Sequence, residues 1–317
     1  MNFKTYEDLA NCITKNLYKI PRDIDLIVGI PRSGTMVANI LALYLNLPFT
    51  DIDNFVNRGN LKTGTTRKCK NWIKTISEAR HVLIVDDSVS SGKAIKETKQ
   101  LLVEKEVKCN CTFLAIYALN FSKNKVDIYL EICEQPRMFE WNYMHHWALE
   151  YCCMDIDGVV CEDPRRSQND DGEKYLYFLK NATPKFIPTK KVGRFVTTRL
   201  SKYREQTEEW MKTYGIEYNE LIMLDNMTAK ERAINGNHAE FKAKVYKNCN
   251  SILFFESNYE QALQICQLSK KPVFCIENRT MITSDNVMGK LKVYNKEFAV
   301  TVKRAIRKLC KKIKYID

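Results

Sequence analysis

Short apolar runs alternate with amphipathic stretches along the first half of the chain. The apolar runs have the length and β-branched content of buried strands, and the stretches between them have helical spacing of apolar positions. The predicted elements are a helix over 5–19, a strand over 25–30, a helix over 36–45, a strand over 81–85, a helix over 94–105 and a strand over 111–118. This strand–helix alternation predicts a parallel sheet covered by helices.

The same pattern starts again after an aromatic-rich stretch at 137–147. Strands are predicted at 148–154, 193–197, 251–255 and 272–276, and helices at 202–213 and 259–268. We therefore expect an α/β protein of two domains, 1–147 and 148–317, each a mainly parallel sheet flanked by helices.

The composition fits this expectation. A chain of 317 residues is long enough for two domains with separate cores, and its 45% hydrophobic and 28% charged residues are typical of globular proteins. We see neither an apolar run long enough to span a bilayer nor a signal-peptide pattern, and we expect a cytoplasmic protein. The twelve cysteines lie in apolar strands or singly on helices, which favours free thiols.

The first candidate site follows the strand at 81–85. Residues 86–92 read Asp-Asp-Ser-Val-Ser-Ser-Gly, two acids and a small hydroxyl-rich turn that opens a helix. Amides at a helix N-terminus bind phosphate, and the acids suit the hydroxyls of a sugar. Residues 29–34, Gly-Ile-Pro-Arg-Ser-Gly, form a second glycine-flanked turn that opens a helix.

These two motifs resemble the signature and the diphosphate loop of type I phosphoribosyltransferases, which use 5-phosphoribosyl diphosphate (PRPP) with Mg²⁺. The resemblance covers about residues 20–135 and implies a type I phosphoribosyltransferase fold. Lys93 and Ala94 depart from it, since glycine and threonine are usual there. The basic segment 57–68 lies where the family has its flexible lid, from which Lys62, Arg67 or Lys68 would close over the diphosphate. The residues implied in PRPP binding are Arg32, Ser33, Gly34, Asp86, Asp87, Ser88, Ser90, Ser91, Gly92 and Lys93, with Asp86 and Asp87 the catalytic pair.

The second candidate site is Asp155-Ile-Asp157-Gly158, directly after an apolar strand. It resembles motif one of the haloacid dehalogenase-like (HAD) phosphatases, which have a Rossmann-like fold. The resemblance implies that Asp155 is the nucleophile and Asp157 the general acid and base, with Mg²⁺ between them.

Three later positions match the remaining motifs of that family. They are Thr197 for phosphate binding, with Thr198 as the alternative; Lys242, with Lys244 second; and Glu256, where aspartate is usual, with Glu260 near it. The metal ligands implied are Asp155, Asp157 and Glu256. Residues 159–192 are expected to form a small insertion over this site, in which Asp170 and Asp171 are solvated.

Two further features carry weaker signals. In the aromatic-rich stretch, Arg137, Glu140 and Trp141 suggest an acceptor pocket, with Trp141 stacking on a ring; a core at the domain junction is the equal alternative. The net charge of +12 is concentrated in residues 290–317, which contain ten lysines or arginines and two acids. This segment has the spacing of a basic amphipathic helix, which packs one face against protein or lies on an anionic membrane. We expect no nucleic-acid partner.

A phosphoribosyltransferase joined to a phosphatase resembles the two-step ribofuranosyltransferases of bacterial polysaccharide synthesis. The resemblance implies that 5-phosphoribose is transferred from PRPP to a glycan hydroxyl and that the 5-phosphate is then removed, which leaves a β-ribofuranosyl residue. A lipid-linked glycan would be one such acceptor. Two alternatives stay open. One is a nucleobase phosphoribosyltransferase with a 5′-nucleotidase-like phosphatase, and the other is a PRPP-sensing regulator.

Overall fold

The computed structural model describes residues 1–66, 69–168, 172–225 and 238–284. They form two compact units, one of residues 2–141 and one that begins at Asn142. This division lies a few residues before the predicted boundary at 147/148. Aromatic packing accounts for it, because Trp141 stacks on Phe139 of the first unit whereas Tyr143 stacks on Phe255 of the second.

A five-stranded parallel sheet forms the centre of the first unit, in the order β3-β2-β4-β5-β6. The strands of this unit are β1 (Asn2–Lys4), β2 (Leu26–Gly29), β3 (Phe49–Asp51), β4 (His81–Val89), β5 (Asn110–Ala118), β6 (Ile128–Ile132) and β7 (Arg137–Phe139). The helices are α1 (Tyr6–Asn16), α2 (Ser33–Leu45), α3 (Ile52–Val56) and α4 (Lys93–Glu104). Single 3₁₀ turns lie at Leu17–Lys19, Ile76–Glu78 and Lys123–Lys125.

Helices cover both faces of this sheet, as its apolar strands require. Along β4, Leu83 and Val85 pack in the core formed with α1 and α2, whereas Val82 and Ile84 pack in the core formed with α3 and α4. The alternation follows from the two-residue period of a strand. Beside the main sheet, β1 and β7 pair in parallel, so that the two ends of the unit hold each other.

The second unit has a six-stranded sheet in the order β10-β9-β8-β11-β12-β13, parallel except for β13. The strands are β8 (Cys152–Met154), β9 (Val192–Leu200), β10 (Tyr218–Leu224), β11 (Leu253–Glu256), β12 (Val273–Cys275) and β13 (Thr280–Ile282). The helices are α5 (Glu173–Asn181), α6 (Arg204–Thr213), α7 (His238–Lys247) and α8 (Tyr259–Ser269). Further 3₁₀ turns lie at Tyr143–His145, Trp147–Tyr151, Arg166–Gln168 and Ser201–Tyr203. The short strand β8 lies inside the sheet, so the residues that follow it come out between β9 and β11.

Some elements differ from the predicted ones. Strand β4 continues to Val89 and β9 to Leu200, both beyond their predicted ends. The helix α5, within the predicted insertion, and the strand β10 were not predicted. Asp170 and Asp171, and the basic segment 290–317, lie outside the described residues.

Two sequence expectations concern the whole described chain. None of its helices is both long and apolar enough to cross a membrane. The cysteines within the described ranges are free thiols, as predicted.

Candidate functional sites of the two units

The first site lies at the carboxyl end of β4. Asp86 and Asp87 are still part of this strand and not beyond it, as Asp86 pairs with Ala115 of β5. Adjacent strand residues point to opposite faces, and accordingly Asp86 is half-buried whereas Asp87 is only 5% exposed. Burial, and then the charge of Asp87, raise the pKa of Asp86 to about 8.

The turn after Val89 leads into α4. Gly92 is the residue before the helix and has a φ of 73°, a left-handed conformation that favours glycine. Lys125 Nζ donates a hydrogen bond to the Ser91 carbonyl oxygen (2.6 Å), and the Lys93 amide donates to Ser91 Oγ (3.3 Å). Ser88 lies in β4, and Ser90 and Ser91 lie in the turn, so that the predicted hydroxyl groups cluster before the helix. The arrangement is suited to an anion.

The segment after β2 lies beside this turn. Arg32 precedes α2 and is exposed, while Ser33 and Gly34 begin the helix. A Cβ atom on Gly34 would lie 2.6 Å from the Val85 carbonyl oxygen and 3.1 Å from Asp86 Cα. Glycine at this position therefore lets the loop of residues 29–34 lie against the end of β4, which brings the two predicted motifs together.

The other predicted cations of this site have different surroundings. Lys93 is exposed and forms an exposed pair with Glu97, one turn further along α4 (3.7 Å). The backbone of Lys62 forms a bridge with Phe49, so part of the segment predicted as a mobile lid is attached to β3. Arg67 and Lys68 lie outside the described residues. Lys125, which no sequence pattern indicated, is the lysine that reaches the turn.

The residues predicted to bind the acceptor make contacts with other residues of the first unit. The guanidinium of Arg137 is buried, donates to the carbonyl oxygens of Val89 and Cys133, and has a pKa lowered by burial. Glu140 accepts from the amide of Tyr6, the first residue of α1. Trp141 lies against Phe139, with ring centres 4.9 Å apart and planes 4° apart, and its Nε1 donates to Asp87 Oδ2 (2.6 Å). The expectation that Trp141 stacks on an acceptor stays a prediction.

The second site is centred on Asp155, the first residue after β8. Lys242 Nζ of α7 donates to Asp155 Oδ2 (2.6 Å), to Glu256 Oε2 (2.7 Å) and to Gln261 Oε1 (3.0 Å). Asp155, Lys242 and Glu256 are all buried. Burial raises the pKa of Asp155 to about 7. The charge of Lys242 lowers this pKa in part, and the charge of Glu256 raises it further. Three predicted residues from three different elements are thus in direct contact.

Asp157 has a cation of its own. Arg199 of β9 donates from Nη2 to Asp157 Oδ1 (2.6 Å) and from Nε to Oδ2 (3.1 Å). Burial lowers the pKa of the Arg199 guanidinium, but the charge of Asp157 and its hydrogen bonds outweigh this effect. The pKa of Arg199 is therefore raised. Arg199 also donates to Thr207 and Cys161, so it is fixed from several sides. No sequence pattern indicated this arginine, although it follows the predicted Thr198.

The remaining motif positions line the same region. Gly158 has a φ of 73° and packs against Ser257, whose hydroxyl donates to the Asp157 carbonyl oxygen (3.3 Å). Thr198 lines the cavity, whereas the Thr197 hydroxyl is buried and accepts from the amide of Arg199. The geometry therefore favours Thr198, the alternative, as the residue with access to a ligand.

A cavity of about 740 Å³ opens over these residues. It is lined by Asp155, Asp157, Asp163, Tyr175, Lys185, Thr198, Arg199, Lys242, Asn258, Gln261 and Arg279, among others. Burial, and then the charge of Asp157, raise the pKa of Asp163, which the sequence did not indicate. The cavity thus joins several acids to several fixed cations, as a site for a metal-bound phosphate requires.

We tested these residues against the predicted Mg²⁺. Within the described ranges, no three acidic, histidine or cysteine side chains are arranged to hold a metal ion. Asp155 and Asp157 nevertheless supply carboxylate oxygens, the ligands that Mg²⁺ prefers. Glu256 differs from its predicted role as a ligand, because Oε1 accepts the amides of Ser257 and Asn258 and Oε2 accepts Lys242. Both oxygens of Asp155 and both of Asp157 also accept hydrogen bonds from the protein, from Ile156 and Lys242 and from Arg199 respectively. The Mg²⁺ site therefore stays a prediction.

The first unit matches a known protein family. Residues 3–143 match the family model of the phosphoribosyl transferase domain. A xanthine-guanine-hypoxanthine phosphoribosyltransferase of Helicobacter pylori is 18% identical over 44% of this chain and 91% of its own, with a TM-score of 0.33. A purine phosphoribosyltransferase of Pyrococcus horikoshii is 21% identical over 44% and 92%, with a TM-score of 0.32. No curated protein matches the chain. Residues 3–143 are therefore a phosphoribosyltransferase domain of type I.

Proposed function

We propose that this chain transfers 5-phosphoribose from PRPP to a glycan hydroxyl and then removes the 5-phosphate, leaving a β-ribofuranosyl residue. The observation that carries the proposal is the contact of Asp155, Lys242 and Glu256 in the second unit. These residues lie far apart in the sequence and match the successive motifs of a phosphatase that uses an aspartate nucleophile. They stand on the same chain as a phosphoribosyltransferase domain, whose product carries a phosphate.

The first reaction belongs to the first unit. The turn before α4 binds the 5-phosphate through its amides, and Asp87 accepts hydrogen bonds from the ribose hydroxyls. Arg32 and the N-terminus of α2 bind the diphosphate of the Mg²⁺ complex of PRPP. The bond between C1 and the diphosphate breaks with its electron pair, the acceptor oxygen bonds to C1 and its proton is released. The protein mainly positions these groups and neutralises the leaving diphosphate.

The second reaction belongs to the cavity of the second unit. The Asp155 carboxylate attacks phosphorus, Asp157 protonates the leaving sugar oxygen, and Asp157 then takes a proton from the water that hydrolyses the phosphoaspartate. Lys242 neutralises charge at Asp155, and Thr198 donates to the phosphate. Asp155 and Asp157 would hold Mg²⁺, which reduces the repulsion between the carboxylates and the phosphate when it is bound.

Both reactions would act on the same phosphate. The group that anchors PRPP in the first site has no use in a neutral glycan, and its hydrolysis makes the transfer irreversible. A neutral ribosyl product thus gives a reason for both units to occur on one chain. The same logic supports a hydroxyl acceptor over a nucleobase, because hydrolysis would destroy the nucleotide just made.

The test is to incubate the protein with PRPP, Mg²⁺ and candidate acceptors and to follow masses. Asp155→Asn should accumulate the phosphoribosylated acceptor, and Asp87→Asn should form none. Glu104→Gln and Glu217→Gln, exposed carboxylates in the two units, serve as matched controls and should behave as wild type. Nucleoside monophosphate formed from free bases, with no glycan product, would refute the proposed acceptor.

A lipid-linked acceptor would also give the basic segment 290–317 a role at the membrane. Its ten lysines and arginines would favour anionic lipid. Deletion of residues 297–317 should then weaken co-sedimentation with vesicles that contain phosphatidylglycerol. Unchanged binding after the deletion would remove membrane contact from the proposal and leave both reactions standing.

A further inference from the structure

The carboxylate of Asp87 has an unusual partner. Trp141 Nε1 donates a hydrogen bond to Asp87 Oδ2 at 2.6 Å, across 54 residues of sequence. An indole N–H only donates, so it favours a carboxylate that is ionised. Asp86 has its own partner, because its Oδ1 accepts the backbone amide of Asp87 (2.8 Å). The two adjacent acids are therefore held in different ways.

The indole itself is fixed by aromatic neighbours. Phe139 is stacked on Trp141, and Tyr117 is stacked further away, with ring centres 6.5 Å apart. Tyr6 is tilted against Trp141 at 5.7 Å. Phe139 in turn pairs with Lys4 in the parallel pair of β1 and β7. The donor is thus attached to the framework of the unit and does not depend on a mobile loop.

The charge distribution gives this contact a purpose. Burial and the charge of Asp87 raise the pKa of Asp86 to about 8. Asp87 is almost completely buried and lies near the buried Arg137. A buried carboxylate needs donors to keep its charge and its orientation. Trp141 supplies such a donor at Oδ2.

We propose that Trp141 is a positioning residue of the PRPP site, which orients the Asp87 carboxylate toward the ribose hydroxyls of PRPP. The inference rests on the proposed first reaction. It assigns Trp141 to the donor side of the site, whereas stacking on a ring would assign it to the acceptor side. The two roles predict an increased KM for different substrates, PRPP in the first case and the acceptor in the second.

The experiment compares Trp141→Phe and Trp141→His with wild type in steady-state assays of diphosphate release. Trp141→Phe keeps the aromatic packing and removes the N–H, so the KM for PRPP should rise about tenfold or more, as for a lost hydrogen bond to a charged group. The KM for the acceptor should not change. Trp141→His retains a ring N–H and should recover part of the loss. Tyr18→Leu removes an exposed ring of the same unit and should leave the KM for PRPP near wild type.

The outcomes separate this inference from the proposed function. If wild type neither binds PRPP in calorimetry nor releases diphosphate, the proposed first reaction fails. If wild type turns PRPP over and Trp141→Phe has an unchanged KM for PRPP, the positioning role is wrong. A rise in the acceptor KM alone would assign Trp141 to the acceptor. Thermal unfolding of each variant shows whether a rise in the KM for PRPP reflects misfolding. If Trp141→Phe is misfolded, PRPP calorimetry on the folded Trp141→His variant decides the test.

Discussion

Lys242 shows how much one buried cation controls in the second site. It is 2% exposed and contacts two buried carboxylates. Removing one partner of a buried ion pair typically costs about 3–5 kcal/mol, because the remaining charge is left without compensation. We expect Lys242→Met to lower the free energy of unfolding by about this amount and to abolish phosphatase activity.

Urea unfolding followed by far-ultraviolet circular dichroism would measure this change. Lys244→Met is a matched control, since Lys244 lies on the same helix but is exposed, and it should lose neither stability nor activity. Equal losses in both variants would mean that α7 tolerates no methionine. They would argue against a specific role of Lys242.

The pH dependence of stability should depend on Asp86. Its pKa is about 8 in the folded protein against an ordinary value of 3.8, so the folded state binds the proton more tightly than the unfolded state. The stabilisation from this proton is complete below about pH 4 and is lost as pH rises toward 8. An asparagine at position 86 does not titrate, so it makes no pH-dependent contribution to stability.

We therefore expect the thermal midpoint of Asp86→Asn, relative to wild type, to rise steadily from about pH 5 to about pH 8. Differential scanning calorimetry at several pH values measures this difference. Asp53→Asn, which changes an exposed acid in the same unit, is the control and should show no trend. A constant difference for Asp86→Asn across that range would show that Asp86 is ionised in the folded protein.

At the scale of elements, Gly34 joins the two halves of the first site. A side chain there would meet the backbone of β4 at Val85 and Asp86. Overpacking of this kind costs about 1–3 kcal/mol, and here it would push the loop of residues 29–34 away from Asp86. Gly34→Ala should therefore lower the thermal midpoint and reduce kcat/KM for PRPP at least tenfold.

Gly215→Ala is the comparison for that variant. Gly215 has a positive φ, but a Cβ atom there would contact nothing within 4 Å. It should show backbone strain alone, with normal turnover of PRPP. If Gly34→Ala also keeps wild-type kcat/KM, the close approach of the two motifs is not needed for catalysis.

The sequence predicted those elements whose apolar positions follow a clear period. Strands β2, β4 and β5 were found because both of their faces are apolar. Helix α4 was found because its apolar face and its polar face are sharply divided. Strand β10 was missed because it is an edge strand with several exposed polar residues, and α5 because it lies in a highly charged segment. The true ends of β4 and β9 were also missed, since polar residues there face a site and not solvent.

Among site residues, the ones in local motifs could be predicted and the ones in tertiary contacts could not. Asp155 and Lys242 stand at motif positions, and the structure brings them into contact. Arg199 and Lys125 acquire their roles only through partners 42 and 34 residues away. Trp141 was noted for its ring, but its N–H contact with Asp87 depends on packing that no spacing reveals.

At the scale of the whole molecule, the proposal divides two reactions between two units, which predicts that they can be separated and recombined. Asp155→Asn retains the first unit intact, and Asp87→Asn retains the second. Each variant alone should fail to give the ribosylated acceptor. A mixture of the two should give it, because the phosphorylated intermediate made by Asp155→Asn can dissociate and enter the cavity of Asp87→Asn.

The reaction is followed by mass spectrometry, in which the intermediate exceeds the final product by one phosphoryl group. The Asp155→Asn sample should show the intermediate first, and addition of Asp87→Asn should convert it. The double variant Asp87→Asn, Asp155→Asn is the matched control and should convert none. If the intermediate forms and the mixture leaves it phosphorylated, while wild type gives the dephosphorylated product, the intermediate does not leave the protein and both steps must occur on one chain. If wild type itself stops at the phosphorylated product, the second unit has a different substrate.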